Sequence, residues 1–317
     1  TLDRLAEDYA KALPGRTKLR GAGTPSADYV AREVGRVKAA IADMTAASKS
    51  VADISDQDIR AMLRANAAQP GAARHRFGAL SRFFDWCRDE RLIAVNPCGL
   101  IGKDRRPKPV PARLHYLRAD ALAALWKAAG EATDLEPVHR DFLRFLIAVP
   151  CRRTEAATLD WSHLNLDAAE WTQPGALTKN GDPHRLHLHP LALALLRERH
   201  ATAGEPTKGL VFPAPKAKKA LTTFSAIKAA LVKQAERDGW RLHDFRRSFA
   251  TALGEVGFAE PVVDAVLNHR QPETRGGVLG VYQRATRWPE QVKAMETWGA
   301  ILAAAIAGRD VTGGRVV

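Results

Sequence analysis

Six side chains in the second half of the chain carry the functional groups that displacement at a phosphate ester requires. In chain order they are Arg152, Lys179, His243, Arg246, His269 and Tyr282. Two guanidiniums can neutralise the non-bridging oxygens of the ester, and a phenol can attack the phosphorus. An ammonium or an imidazole can transfer the protons. Because the carboxylates of the chain form no ligand-like cluster, the set predicts attack on a DNA phosphodiester without a metal ion.

Local sequence predicts how these groups are presented. His243 and Arg246 are three positions apart, so they share one face of a predicted helix. Lys179 stands where a predicted strand meets the Asn180-Gly181 turn, from which a flexible ammonium can protonate a leaving 5′ oxygen. The pKa of a free tyrosine is about 10, so Tyr282 needs nearby cations or an imidazole to attack at neutral pH.

The motifs around these residues resemble those of the tyrosine recombinases, the phage integrase family. The segment from Val149 to Glu155 is similar to the family's Thr-Gly-x-Arg-x-x-Glu, with Pro150 in place of the glycine. That spacing selects Arg152 rather than Arg153. Leu-His-Asp-Phe-Arg-Arg-Ser-Phe-Ala-Thr, Leu-Asn-His and Gly-Val-Tyr-Gln-Arg are similar to the segments that carry the family's second arginine, last histidine and nucleophile. The resemblance covers the catalytic half closely and the preceding region more loosely.

The resemblance implies a strand-exchange reaction on double-stranded DNA. Tyr282 would form a 3′-phosphotyrosyl bond and release a 5′ hydroxyl, so that neither ATP nor any other cofactor is needed. His269 would donate a hydrogen bond to the scissile phosphate, and Glu155 would support the site. The implied partners are attachment or core sites, a Holliday junction, three further copies of the chain in a homo-tetramer, and accessory DNA-bending or directionality proteins.

Composition and charge favour a polyanionic partner. The chain has 317 residues, enough for two domains, and a formal net charge of +13. The best candidate for a membrane span, residues 298–307, is shorter than the roughly 18 apolar residues that a span requires, and the N-terminus does not resemble a signal peptide. Three cysteines without a Cys-x-x-Cys spacing favour a reducing compartment. We therefore expect a bacterial, cytoplasmic, nucleoid-associated protein, and the start at Thr1 predicts a processed or trimmed chain.

Pattern and resemblance together predict a mainly α fold with a small antiparallel β-sheet in the C-terminal half. We expect a two-domain DNA clamp, with a helical core-type DNA-binding domain over residues 1–101 and an α+β catalytic domain over residues 116–308. Residues 102–112 contain three prolines and four basic residues, so a basic linker in an extended and helix-free conformation is expected over residues 102–115. A mobile tail is expected over residues 309–317.

Hydrophobic periodicity and turn signals predict the elements of the second half. Helices are expected over residues 119–129, 137–149, 191–200, 222–238, 243–256, 261–268 and 289–307. Strands are expected over residues 171–173, 176–179 and 185–189, the last two flanking the Asn180-Gly181 turn. The apolar face of the last helix either packs within its own chain or docks onto a neighbouring copy.

Basic residues outside the six are candidate DNA ligands. They are Arg74, Arg76, Arg82, Lys103, Arg105, Arg106, Lys108 and Arg247. The first three lie on a helix expected to begin near Arg74, which also carries the aromatic stripe Phe77, Phe83, Phe84 and Trp86. The stripe is explained by core packing with the arginines in solvent, and the alternative places some of these arginines against phosphates.

Other interpretations of the sequence lead to different functions. His184, His187 and His189 could suggest zinc, but no cysteine or carboxylate completes a ligand set, so no metal site is predicted. The helices over 243–256 and 261–268 could form a helix-turn-helix reader, which would leave the other predicted site residues without a role. A type IB topoisomerase and a catalytically silent DNA-binding protein of the same fold are the remaining alternatives.

Overall fold

The computed structural model describes residues 1–16, 24–111, 113–178, 181–269, 287–309, 311–312 and 315–316. The chain divides into two compact units, Thr1–Arg113 and Leu114–Val317. Each unit has its own cluster of buried hydrophobic side chains. Within the described ranges, no helix is both long and apolar enough to cross a membrane.

The first unit is helical. Its α-helices among the described residues are α1 (Leu2–Ala12), α2 (Ala27–Asp43), α3 (Asp56–Ala65) and α4 (Pro70–Asp89). A capping box predicted from Ser55 and Asp58 is present at the start of α3, where the Asp58 carboxylate accepts from the Ser55 backbone N–H at 2.9 Å. The helix predicted to begin near Arg74 begins earlier, at Pro70, because proline suits a first helical turn whose N–H groups lack intrahelical partners.

The aromatic stripe of α4 lies in the core of this unit. Phe83 and Phe84 are fully buried, and Trp86 is nearly so. Tyr9 of α1 packs edge-on against Phe83, with ring centroids 5.5 Å apart. The core-packing interpretation of the stripe is therefore confirmed.

The predicted linker is not entirely free of helix. Lys103–Arg105 forms a short 3-10 turn, in which the Arg105 N–H donates to the Gly102 carbonyl at 3.0 Å. The turn ends before Pro107, the first of the three prolines. Proline lacks a backbone N–H and disfavours a helical conformation in the residue before it, so the turn cannot extend into the rest of the segment.

The second unit combines helices with a small sheet. Its described α-helices are α5 (Ala119–Glu131), α6 (Pro137–Ala148), α7 (Arg153–Ala157), α8 (Pro190–Thr202), α9 (Phe224–Ala235), α10 (Leu242–Glu255), α11 (Glu260–Val266) and α12 (Trp288–Ile306). The helix predicted over 222–238 is shorter at both ends. It stops at Ala235 because Glu236 takes a left-handed conformation with φ 49°.

The sheet pairs differently from the prediction. Strands β1 (Leu164–Asn165), β2 (Glu170–Gln173) and β3 (His184–His187) are antiparallel in that order, with Gln173 opposite His184. The strand predicted over 176–179 is wrong, because Gly175–Leu177 forms a 3-10 turn after Pro174. Thr178 closes this connection by donating its hydroxyl to the Asp182 carbonyl at 2.8 Å.

Helix α12 packs within its own chain. Trp298 lies edge-on against Phe249 of α10, with ring centroids 5.6 Å apart, and its indole N–H donates to the Ala148 carbonyl at 3.0 Å. Gly299 permits this packing, because a Cβ there would lie 2.5 Å from Nδ1 of His189. Beyond α12, strands β4 (Val311–Thr312) and β5 (Arg315–Val316) pair antiparallel inside the segment predicted as a mobile tail.

Candidate active site

Arg152 stands at the N-cap of α7 and is held there by Glu155. One carboxylate oxygen of Glu155 accepts the Arg152 backbone N–H at 2.7 Å, and the other accepts Nη1 of the same residue at 2.6 Å. The Glu155 side chain is 5% exposed and that of Arg152 is 22% exposed. Glu155 therefore caps the helix and orients the guanidinium at the same time, while part of the guanidinium stays open to solvent.

Arg153, the competing residue of the motif, points elsewhere. Its guanidinium carbon lies 4.9 Å from the ring centroid of Phe224, at the first residue of α9. The structure thus separates the two adjacent arginines: Arg152 contacts Glu155 and the Asn268 carbonyl, and Arg153 contacts α9.

Arg246 is the buried cation of the site. Only 4% exposed, it donates from Nη1 to the Pro150 carbonyl at 2.7 Å and from Nη2 to the Leu267 carbonyl. Burial and then the nearby charge of Arg152 lower the pKa of Arg246 to about 10, which leaves it charged at neutral pH. A buried cation beside a second cation favours the approach of an anion.

The C-terminal end of α11 brings the two arginines together. Nη2 of Arg152 reaches the Asn268 carbonyl at 3.5 Å, next to the Leu267 carbonyl that Arg246 contacts. Asn268 takes a left-handed conformation with φ 47°, which ends the helix and turns these carbonyls toward the arginines. Both guanidiniums therefore converge on one helix end, where the partial negative charge of the helix dipole favours cations.

His269 follows immediately after this helix end. Its Nδ1 lies 3.0 Å from a carboxylate oxygen of Asp264, and its backbone N–H donates to the Asp264 carbonyl. Burial and then the charge of Arg246 lower the pKa of His269, and the bond to Asp264 partly opposes the shift. Since a carboxylate accepts, Nδ1 carries the hydrogen and Nε2 is left for a ligand.

His243 lies on α10, three residues before Arg246, and is exposed. Partial desolvation on the side of the ring that faces the protein, and then the charges of Arg246 and Arg247, lower its pKa. The neighbouring Asp244 is fully buried and accepts the Arg241 N–H at 2.9 Å, which caps α10. Asp244 and Asp264 were not predicted. The three-residue spacing of Arg241 and Asp244 is the capping signal that could have identified the first.

Lys179 and Tyr282, the predicted general acid and nucleophile, lie outside the described residues. The flanking residues are described: Thr178 and Gly181 on either side of the lysine segment, and His269 and Arg287 on either side of the tyrosine segment. Of the six predicted catalytic residues, the structure therefore brings Arg152, Arg246, His243 and His269 together.

The candidate DNA ligands of the first unit differ in their surroundings. Arg82 forms a bidentate salt bridge with Glu33, at 2.6 and 2.9 Å, and Arg76 donates to Asp43 at 2.5 Å. Arg74, by contrast, is exposed, as are Lys103, Arg105 and Lys108. Arg106 donates to the carbonyls of Ile101 and Gly99 at 2.9 and 3.2 Å. In the second unit, Arg247 bonds Asp244 at 2.6 Å.

The three histidines that could have suggested zinc separate toward different partners. Nε2 of His184 faces the Ala265 carbonyl at 3.2 Å, His187 faces Glu296 at 2.5 Å, and Nε2 of His189 faces the Ala148 carbonyl at 2.9 Å. No group of histidine, cysteine and carboxylate side chains suited to a metal ion occurs among the residues that the structure describes.

Comparisons with known sequences agree with the predicted family. The sequence model of the Phage integrase family matches residues 115–277. Prophage integrase IntA of Escherichia coli (strain K12) is 28% identical over 271 residues, which cover 82% of this chain and 63% of IntA. Tyrosine recombinase XerD of Vibrio cholerae (serotype O1) is 24% identical over 229 residues, covering 69% of this chain and 73% of XerD. The chain thus spans less than two thirds of the length of IntA.

Solved structures share the fold. A dimer of lambda integrase residues 75–356 bound to a COC′ core site has a TM-score of 0.64 and 17% identity, covering 86% of this chain and 96% of that one. The Tn1549 transposon integrase, residues 82–397, in complex with circular intermediate DNA has a TM-score of 0.63 and 11% identity, covering 85% and 93%.

The fold combines a helical unit with an α+β unit, and the family model matches within the second of these. The chain belongs to the phage integrase family, the tyrosine site-specific recombinases.

Proposed function

We propose that this chain is an integrase-type site-specific recombinase that integrates or excises a mobile element through a 3′-phosphotyrosyl intermediate. The observation that carries the proposal is the convergence of Arg152 and Arg246 on one helix end, with His243 and His269 beside them. Two preorganised cations can hold both non-bridging oxygens of a phosphodiester, where charge develops during displacement.

In the proposed cleavage step, Tyr282 replaces the 5′ oxygen on the scissile phosphorus. The Tyr282 oxygen bonds to phosphorus while the bond from phosphorus to the bridging 5′ oxygen breaks. The phenolic proton leaves to a base, for which His243 is placed beside the arginines, and Lys179 gives a proton to the 5′ oxygen. Attack by a 5′ hydroxyl of the partner duplex reverses these steps, so the ester stores the bond energy and no cofactor is required.

His269 and Glu155 have supporting roles in this proposal. The bond from Nδ1 of His269 to Asp264 means that Nε2 can donate to a phosphate only when the ring is protonated. The negative phosphate raises the pKa of the ring on binding, which favours that form. Glu155 keeps Arg152 in place through its two carboxylate oxygens.

The domains and partners of the sequence prediction are retained as proposals. We assign core-site binding to residues 1–101 and catalysis to residues 116–308, joined by the basic linker over 102–115. A lambda integrase tetramer bound to a Holliday junction shares the fold at a TM-score of 0.63, which supports a tetramer on two duplexes here. The candidate DNA ligands are the basic residues named above, and the proposed setting is the bacterial nucleoid.

The integrase role is supported by the similarity to IntA, which is 28% identical over 82% of this chain. The alternatives left by the sequence predict different reactions. A type IB topoisomerase would relax supercoiled plasmid without site preference. A silent DNA-binding protein would form no covalent adduct. Site-restricted strand exchange between two duplexes separates the proposed function from both.

A selection for covalent adducts tests the proposal. The protein is incubated with a pool of nicked suicide duplexes whose core sequence is randomised, and the adducts are recovered after denaturation and sequenced. We expect a defined core sequence attached through its 3′ phosphate to Tyr282. The control variant Tyr282→Phe should bind the selected duplex equally well and form no adduct. An undiminished adduct with this variant would show that another residue is the nucleophile.

A further inference from the structure

We propose that His184 is a positioning residue that joins the β-sheet to the helix end on which Arg152 and Arg246 converge. The proposal rests on the function proposed above. Neither the motifs of the sequence nor the comparisons assign a role to this histidine.

Three backbone carbonyls near the end of α11 are each contacted by a basic side chain from a different element. The Ala265 carbonyl faces Nε2 of His184 from β3, at 3.2 Å. The Leu267 carbonyl accepts from Arg246 of α10, and the Asn268 carbonyl accepts from Arg152 at the start of α7. His184 is therefore the member of this set that comes from the sheet.

The contact requires a hydrogen on Nε2 of His184. A carbonyl oxygen only accepts, so Nε2 of His184 carries the hydrogen. Burial lowers the pKa of His184 to about 4, and the nearby charges of Arg246 and Arg152 act in the same direction. The ring is therefore an uncharged donor at neutral pH. It can hold the helix end without adding a third positive charge beside the two arginines.

His184 and its partner Ala265 lie close in sequence to two predicted catalytic residues, Lys179 and His269. His184 is the first residue of β3 and follows Lys179 by five positions in the sequence. The other end of the bond lies on α11, four positions before His269. The bond thus fixes the distance between the start of β3 and the helix end that orients the arginines and precedes His269.

Loss of this contact should slow the chemical step more than it weakens DNA binding. A displacement of about 1 Å in a catalytic group can cost as much as 100-fold in rate. We therefore expect His184→Leu, which removes the donor, to cleave about 10- to 100-fold more slowly than the wild-type chain. His184→Gln keeps an N–H at a similar distance from the backbone and should restore most of the rate.

The experiment measures single-turnover cleavage of the nicked duplex recovered by the adduct selection, together with equilibrium affinity for the same duplex and the melting temperature. His200, on α8, provides a matched control. Its Nε2 also faces a backbone carbonyl, that of Pro206, at 3.1 Å. The variants His200→Leu and His200→Gln should cleave at the wild-type rate once corrected for the folded fraction. The proposal is supported if the loss of cleavage rate is larger for Leu than for Gln at position 184 and no such loss occurs at position 200.

A double-mutant cycle separates positioning from a general loss of stability. If His184 acts through the helix end, the effects of His184→Leu and His269→Ala on the cleavage rate should combine less than multiplicatively. Should His184→Leu fail to fold, His184→Asn, whose shorter amide cannot reach Ala265, takes its place in the comparison with Gln. Equal cleavage rates for the wild type and the variant without a donor would overturn the inference while leaving the proposed function intact. Absence of an adduct with the wild-type chain would overturn both.

Discussion

Arg246 and Arg152 donate to consecutive backbone carbonyls, those of Leu267 and Asn268. Carbonyl oxygens are neutral, so they orient the guanidiniums without cancelling their charge. Asn268 leaves the helix in a left-handed conformation, and His269 follows it directly. One helix end therefore sets the mutual position of two cations and one imidazole.

Removal of either arginine should disable strand cleavage. Arg152→Ala and Arg246→Ala each delete a preorganised donor to the phosphate and should lower the single-turnover cleavage rate by about 10²–10³-fold. Cleavage by the wild-type chain should be unaffected by EDTA, because the cations belong to the protein. A strict requirement for magnesium in this assay would contradict the metal-free mechanism.

Lys179→Ala should reveal whether the lysine protonates the leaving group. A duplex with sulfur in place of the bridging 5′ oxygen needs no proton on departure, because a thiolate is far less basic than an alkoxide. The variant should be badly impaired on ordinary DNA and largely restored on the 5′-thio duplex, whereas Arg246→Ala should show no comparable restoration. Equal restoration of the two variants would mean that Lys179 acts electrostatically, and His269 would be the next candidate for the general acid.

Buried His189 should make the second unit less stable in acid. Burial lowers its pKa from 6.5 to about 4. The unfolded chain therefore takes up the proton first as the pH falls. The contribution of neutral His189 to the free energy of unfolding is complete above pH 6.5 and is lost between about pH 6.5 and pH 4. Urea midpoints at pH 7 and pH 5 should differ less for His189→Gln than for the wild type. An equal pH dependence in the two proteins would assign the acid sensitivity to other groups.

Arg82 and Arg74 should respond to substitution in opposite ways, although both are candidate DNA ligands on α4. Glu33 is fully buried and paired with Arg82, so Arg82→Met leaves the carboxylate with the weaker contact to Arg36 at 4.0 Å and should destabilise the first unit by about 2 kcal/mol or more. The double variant with Glu33→Gln should recover part of this loss.

Arg74→Ala, at an exposed position, should leave the unfolding midpoint unchanged. If Arg74 contacts one phosphate, the slope of log affinity against log salt should become shallower by about 0.9. Titrations of the selected duplex at several salt concentrations measure this slope for the wild type and for Arg74→Ala. An unchanged slope for Arg74→Ala would remove it from the DNA-binding surface.

The family, the mainly helical fold and the order of the functional groups can be read from the sequence. These follow from local patterns, because capping, helical periodicity, the motif around Arg152 and the three-residue spacing of His243 and Arg246 each lie within a short stretch of chain. Local pattern also misled, since the strand predicted over 176–179 is a 3-10 turn and β3 pairs with β2 instead. A turn signal indicates a bend, but the register depends on which strand lies alongside.

The contacts that hold the site together depend on the three-dimensional fold. Arg152, Arg246 and His184 contact the carbonyls of Asn268, Leu267 and Ala265, and a backbone carbonyl is the same group in every residue. Such a contact leaves no signature in side-chain type or spacing. Likewise, the pattern of α4 cannot distinguish an arginine available to a phosphate from one bound to Glu33, because that carboxylate comes from another helix. Contacts between segments distant in the chain arise only when the fold brings the segments together.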